Sequence, residues 1–125
     1  MISIASQPSI LIVEDHFEFR QAVRRFLELK KVDARMMEAS SAEEGVLIAQ
    51  KFRPKVIIMD FVLRGMNGLE AAHKIKEENP KCNIIMLTMF DPKEIAQVQR
   101  ETAVKVFIDK ENLYDQLIPA LDKVL

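Results

Sequence analysis

The fold this sequence predicts is a doubly wound α/β domain, and three observations predict it. Five short apolar runs alternate with longer amphipathic stretches along the whole chain. Three of those runs are nearly continuous in Val, Ile, Leu and Met, which marks strands buried on both faces of a parallel sheet. A length of 125 residues suits one ordinary domain, spanning 1–125, with a proper hydrophobic core.

The strands are read at SILIVE (9–14), DARMME (33–38), KVIIMD (55–60), NIIMLT (83–88) and VKVFID (104–109). Helix 1 is carried by Phe19, Val23, Phe26, Leu27 and Lys30, which recur at helical spacing. Helix 2 opens with Ser40 and Glu43, three apart, the pattern of a capping box. Helix 3 repeats that logic with Asn67 and Glu70. Helix 4 is expected to start with Asp91 as cap, Pro92 at the first helical position and Glu94 at the third. Helix 5 places Leu113, Leu117, Ala120, Leu121 and Val124 on one face. Five such units in so short a chain favour the flavodoxin-like strand order 2-1-3-4-5, with strands 1 and 3 as neighbours.

Hydrophobic content of 49% and charged content of 30% are those of a globular protein rather than a disordered one. A net charge of −1 gives no electrostatic case for direct nucleic-acid binding or for an anionic membrane. No apolar run approaches the roughly 18 residues of a membrane span. The start, MISIASQPS, has no basic segment followed by an apolar core, so no signal peptide is read there. Cys82 is the lone cysteine, which excludes an internal disulfide and suits a reducing cytoplasm.

One residue does not fit a purely structural reading. Asp60 ends the greasy run KVIIMD, and an unpaired buried charge is costly. In the predicted order it lies at the carboxyl end of strand 3, beside Glu14 and Asp15 at the end of strand 1, where sites form in this class of fold. Three acids gathered there resist ionising together unless a cation sits among them. All-oxygen ligands suit a hard ion, Mg²⁺ or Mn²⁺, which shares its remaining positions with water and phosphate oxygens. Thr88 ends strand 4 and Lys110 follows strand 5 on the same rim, and these are the donors that a carboxylate-bound phosphoryl group needs.

These residues carry a resemblance. The chain resembles a bacterial two-component response-regulator receiver domain over nearly its whole length. LIVEDH resembles the acidic pair of that family, IIMDFVLRGMNGLEA its phosphoacceptor strand with glycine eight residues after the aspartate, IIMLTM its Thr, and VFIDK its aromatic residue and Lys. EDHFEFRQAVRRFLE and MLTMFDPKE are similar to receivers usually followed by a helix-turn-helix DNA-binding domain. The resemblance implies that Asp60 accepts phosphate from a sensor histidine kinase or phosphotransfer protein. It implies that Glu14, Asp15, Asp60 and the Val62 backbone carbonyl hold Mg²⁺, that Thr88 and Lys110 bind phosphoryl oxygens, and that Phe107 is a rotameric switch. Such a module is a signalling switch rather than an enzyme, regulating transcription if a DNA-binding domain follows. Two departures stand out. Arg64 replaces a frequent Pro four residues after the aspartate, and ETAVKVF replaces the small and glycine residues usual before strand 5.

Other classes fit less well. An aspartate-nucleophile phosphatase resembles a D-x-D pattern on strand 1, which IVEDH lacks, and needs a cap domain. Flavin binding needs a Ser/Thr/Gly-rich loop where EDHFEF stands. A degenerate receiver acting only as an interaction module would not keep the full acid set. Taken singly, Asp60 reads as a helix cap, Lys110 as a surface lysine, Thr88 as a β-former and Phe107 as core. His16 and His73 read as surface residues, Cys82 as packed and inert, and the seven methionines as core filler. A second apolar set on helix 5, Tyr114, Ile118 and Leu125, predicts that the face of helix 4, strand 5 and helix 5 docks a partner or a second copy. The plainer alternative packs Tyr114 and Ile118 on helix 4. Phe107 is expected two strands' width from Thr88 along the rim.

Overall fold

In the computed structural model, residues 7–91 and 93–125 are described. β1 (Ser9–Val13), β2 (Arg35–Ala39), β3 (Val56–Asp60), β4 (Asn83–Thr88) and β5 (Val106–Asp109) form one parallel sheet in the order β2-β1-β3-β4-β5. The helices are α1 (Phe17–Leu29), α2 (Ala42–Phe52), α3 (Gly68–Glu78), α4 (Ala96–Glu101) and α5 (Leu113–Asp122), with a 3-10 turn over Lys110–Asn112 leading into α5.

Alternation along each strand divides the core in two. Ile10, Ile12, Val56, Ile58, Ile85, Leu87 and Ile108 face Val23 and Leu27 of α1 and Leu113, Leu117 and Leu121 of α5. Leu11, Val13, Ile57, Met59, Ile84, Met86 and Phe107 face the other way, onto the small residues Ala42, Ala49, Ala71 and Ala72 of α2 and α3. Each fully buried Leu or Ile here contributes ~1.5–3 kcal/mol. The expected face of α5 is thus in place, with Ala120 and Val124 partly buried beside its three leucines.

Several details differ from the sequence reading. The cap of α2 is Ser41, one residue later than expected: its side chain accepts the Glu44 N–H at 3.1 Å, and the Glu44 carboxylate takes the Ser40 N–H at 3.2 Å. Asn67 and Glu70 do cap α3, with Asn67 Oδ1 accepting the Glu70 N–H at 2.9 Å. Asp91 caps a tight turn rather than a helix, accepting from Lys93 N–H through its side chain and from Glu94 N–H through its carbonyl, both at 2.8 Å. With that turn occupying residues 93–95, α4 begins only at Ala96; the reading of Pro92, like that of residues 1–6, lies outside the described residues. β2 and β5 each start two residues later than read.

The loop before β5 needs no glycine. Thr102 leaves α4 in extended conformation, and its hydroxyl accepts the Val104 N–H at 3.2 Å. His73, exposed as expected, holds the same hydroxyl with Nε2 at 3.2 Å. Cys82 lies just before β4, buried, where burial pushes its thiol up to about 11. Met89 departs from the reading of methionines as filler, being 81% exposed. The Tyr114 ring meets Phe26 of α1 edge-on at 4.8 Å.

Candidate functional site

The side-chain alternation that sorts the core also builds the site. Glu14 continues the register of Ile10 and Ile12, Asp60 that of Val56 and Ile58, and Lys110 that of Ile108. All three therefore emerge on the α1/α5 side at the carboxyl ends of β1, β3 and β5, the first two adjacent and the third beyond β4. Asp15, at the turn into α1, joins them. Oxygens of Glu14, Asp15 and Asp60 lie within 4.8 Å of one another. They line an open hollow of about 330 Å³ together with Val62, Met89 and Lys110.

Asp60 is held from two sides. The Lys110 ammonium donates to Oδ2 at 2.7 Å, and the Val62 N–H donates to Oδ1 at 3.2 Å. Behind it the chain must turn tightly into α3, and Gly68 makes this feasible: a Cβ there would lie 2.4 Å from the Asp60 carbonyl oxygen. The glycine eight residues after the aspartate is thus a requirement of close backbone approach.

The electrostatics are those of crowded acids. Lys110 also lies 3.7 Å from Glu14 Oε1, so one ammonium faces the carboxyl groups of both Glu14 and Asp60, with Asp15 beside them. Burial pushes the Glu14 carboxyl up to about 8, and a hydrogen bond to Asp60 and the Asp60 charge push the same way, against the pull of Lys110. Among the described residues, the buried Oε2 of Glu14 has no hydrogen-bond partner. An orphaned carboxylate oxygen among all-oxygen donors is the environment that a hard divalent cation fits. The residues suit Mg²⁺ or Mn²⁺.

Two predicted residues stand apart from this cluster. Thr88 ends β4 as expected, but in the opposite register from Leu87. It is 1% exposed, and its hydroxyl accepts the Phe90 N–H at 2.9 Å. Phe107 is 8% exposed within the α2/α3-side core. Its strand is the immediate neighbour of β4, with Met86 opposite Phe107 and Thr88 opposite Asp109, so the expected separation of two strands' width is corrected to one. His16, the exposed N-cap of α1, makes no side-chain cap bond.

The contacts of three supporting residues escaped sequence reasoning. The Phe19 ring lies under the Lys110 ammonium at 4.6 Å, a cation–π contact that steadies the lysine. Arg20 donates to the Glu14 carbonyl and to Glu38 Oε1, each at 2.8 Å, tying the acidic turn to the edge strand. Arg64 donates to Asp15. Phe19 was visible only as a core position and Arg64 only as a departure from a frequent Pro, and no spacing rule marks Arg20.

The response regulator receiver domain family matches residues 10–122. The chain is 40% identical over 81 residues to the transcriptional regulatory protein LiaR of Bacillus subtilis (strain 168), covering 65% of this chain and 38% of that protein. It is 28% identical over 115 residues to the transcriptional regulatory protein DegU of Brevibacillus brevis, covering 92% of this chain and 49% of that one. It therefore spans half or less of the length of these relatives. Among solved structures, a two-component response regulator of the LuxR family from Aurantimonas sp. SI85-9A1 superposes with a TM-score of 0.85 at 26% identity, over 95% of this chain and 85% of that one. With this sheet order and an acidic hollow consistent with a phosphorylation site, the chain belongs to the family of response regulator receiver domains, which are signalling rather than catalytic modules.

Proposed function

We propose that residues 1–125 form a single phosphorylation switch in which Asp60 accepts a phosphoryl group from a sensor histidine kinase or phosphotransfer protein. The observation that carries this reading is the Asp60 carboxylate itself, held at a strand end by Lys110 in an open hollow beside Glu14 and Asp15. An Asp60 oxygen attacks phosphorus in line, and the new P–O bond forms as the bond to the donor nitrogen breaks. Lys110 stays with the transferred group and neutralises its oxygens. Thr88 keeps its hydroxyl proton available, because the Phe90 contact uses the oxygen only as acceptor. Glu14, Asp15, Asp60 and the Val62 carbonyl would hold Mg²⁺ (or Mn²⁺). Bound there, the ion supplies positive charge against the transferring phosphoryl oxygens.

The output is a change at the face of α4, β5 and α5, with Thr88 and Phe107 as the switch pair, and transcription is regulated if a DNA-binding domain follows. The chain itself binds no nucleic acid in this reading and works in the cytoplasm; among the described residues no helix is long and apolar enough to cross a membrane. Acetyl phosphate with Mg²⁺ should add one phosphoryl group, read by intact mass. Asp60→Asn should take none while keeping its circular dichroism spectrum. Labelling of that variant to the wild-type level moves the acceptor elsewhere.

A further inference from the structure

The loop between β3 and α3 is fastened at two points after Asp60. Met66 donates its N–H to Glu43 Oε1 of α2 at 3.0 Å, beside Gly65 with a φ of 76°. Arg64 contacts Asp15. Its backbone N–H and its Nε both lie 3.3 Å from the same oxygen, Asp15 Oδ2. A proline at this position offers neither donor. The Asp15 side chain is 20% exposed, whereas that of Arg64 is 86% exposed.

We infer that Arg64 is a positioning residue that competes with a divalent cation for Asp15, and so links the loop after Asp60 to occupation of the acidic hollow. This rests on the metal reading proposed above. Two donors on one oxygen already draw on the Asp15 charge that a cation requires, and the guanidinium adds like-charge repulsion to any cation bound beside it. The guanidinium is the partner that gives way, since an ion pair so exposed to water is weak and screened by salt. Linkage is reciprocal: whatever factor Arg64 takes from cation affinity, the cation takes from the hold of Arg64 on Asp15. The cation therefore loosens the Arg64 fastening of this loop, while the Val62 carbonyl would hold the loop's start to the ion.

The test compares wild type, Arg64→Ala and Arg64→Pro, each checked for an unchanged amide spectrum outside residues 61–67. Mn²⁺ is the probe for affinity, read from the free-ion electron paramagnetic resonance signal. Arg64→Ala should bind Mn²⁺ roughly 2- to 5-fold more tightly, the scale of an exposed ion pair. Arg64→Pro, which also loses the backbone donor, should bind at least as tightly as Arg64→Ala, and high salt should shrink the difference from wild type. In the wild-type chain, Mg²⁺ should move the Arg64 Nε–H resonance as the contact opens. If wild type binds Mn²⁺ at the three acids and Arg64→Ala binds no tighter, the competition is overturned while the metal reading stands. Tighter binding with a motionless Nε–H signal also overturns it, since charge would then be acting through space. If wild type binds no Mn²⁺ at Glu14, Asp15 and Asp60, the metal reading itself fails and this inference with it.

Discussion

Glu14 concentrates the physics of the site in one side chain. Its carboxyl is pushed up to about 8 from an ordinary 4.5, first by burial and then by Asp60. The folded state therefore holds a proton that the unfolded state releases near pH 4.5. With the folded value above the unfolded one, the contribution of Glu14 to stability is fully present below about pH 4.5 and is lost as pH rises through about 8. In chelator, the melting temperature of the wild type should fall relative to Glu14→Gln between those limits, because the amide stays neutral throughout. A wild-type curve that runs parallel to that of Glu14→Gln across this range would show that no such proton is held. At this scale the sequence was legible wherever a residue's role follows from its place at a strand end, which is why Glu14, Asp15, Asp60 and Lys110 could be named and are found together. Phe19, Arg20 and Arg64 act through contacts with partners far along the chain. Their roles become visible only once the sheet has brought those partners near.

Among the elements, α1 and the edge strand β2 are joined by a cluster of charges around Glu38. Burial alone would raise the Glu38 carboxyl, but hydrogen bonds from Arg20 and Arg24 outweigh it and hold the group below its ordinary range. Arg20 is the pivotal member, since it bonds Glu38 and the Glu14 carbonyl at once while its side chain is only 12% exposed. Arg20→Ala should cost about 1.5–3 kcal/mol in urea denaturation, the value of hydrogen bonds to charged partners. Arg20→Lys should recover only part of it, because one ammonium cannot reproduce the fork of a guanidinium. A loss below about 0.5 kcal/mol for Arg20→Ala, the scatter of an ordinary surface change, would mean the cluster is solvated decoration. Elements were legible where periodicity is strong, as in α1, α3 and α5. The start of helix 4 was not legible, because Asp91 followed by Pro92 signals a turn as readily as a helix. In the fold the turn takes the Asp91 hydrogen bonds, leaving α4 only six residues long.

For the molecule as a whole, the proposed switch would separate chemistry from output by face of the sheet. Glu14, Asp60 and Lys110 continue the α1/α5-side register, whereas Thr88 and Phe107 continue the α2/α3-side register on the adjacent strands β4 and β5. A phosphoryl group on Asp60 would be a new dianion one strand over from Thr88, since Asp60 pairs with Leu87 of β4, and a charge-assisted hydrogen bond would draw the Thr88 hydroxyl toward it. Thr88 is 1% exposed, so its displacement vacates packed space that a neighbouring side chain must refill. Phe107 is already buried on that side, so the change expected is a tightening of its inward position and a shift of α4 above it. α4 can move because none of its own six residues is buried; Ile95, just before it, is its deepest anchor. The surface so altered continues onto α5, where Tyr114 remains 57% exposed despite its contact with Phe26. Beryllofluoride, a phosphoryl mimic, should therefore change amide exchange in α4 and α5 and raise the sedimenting mass toward a dimer. Tyr114→Ala should keep the exchange change and lose the mass change, because it removes docking surface without touching Asp60. If the mimic alters neither mass nor exchange, this face is not the output of Asp60 and the switch reading fails for this protein, whatever Asp60 accepts.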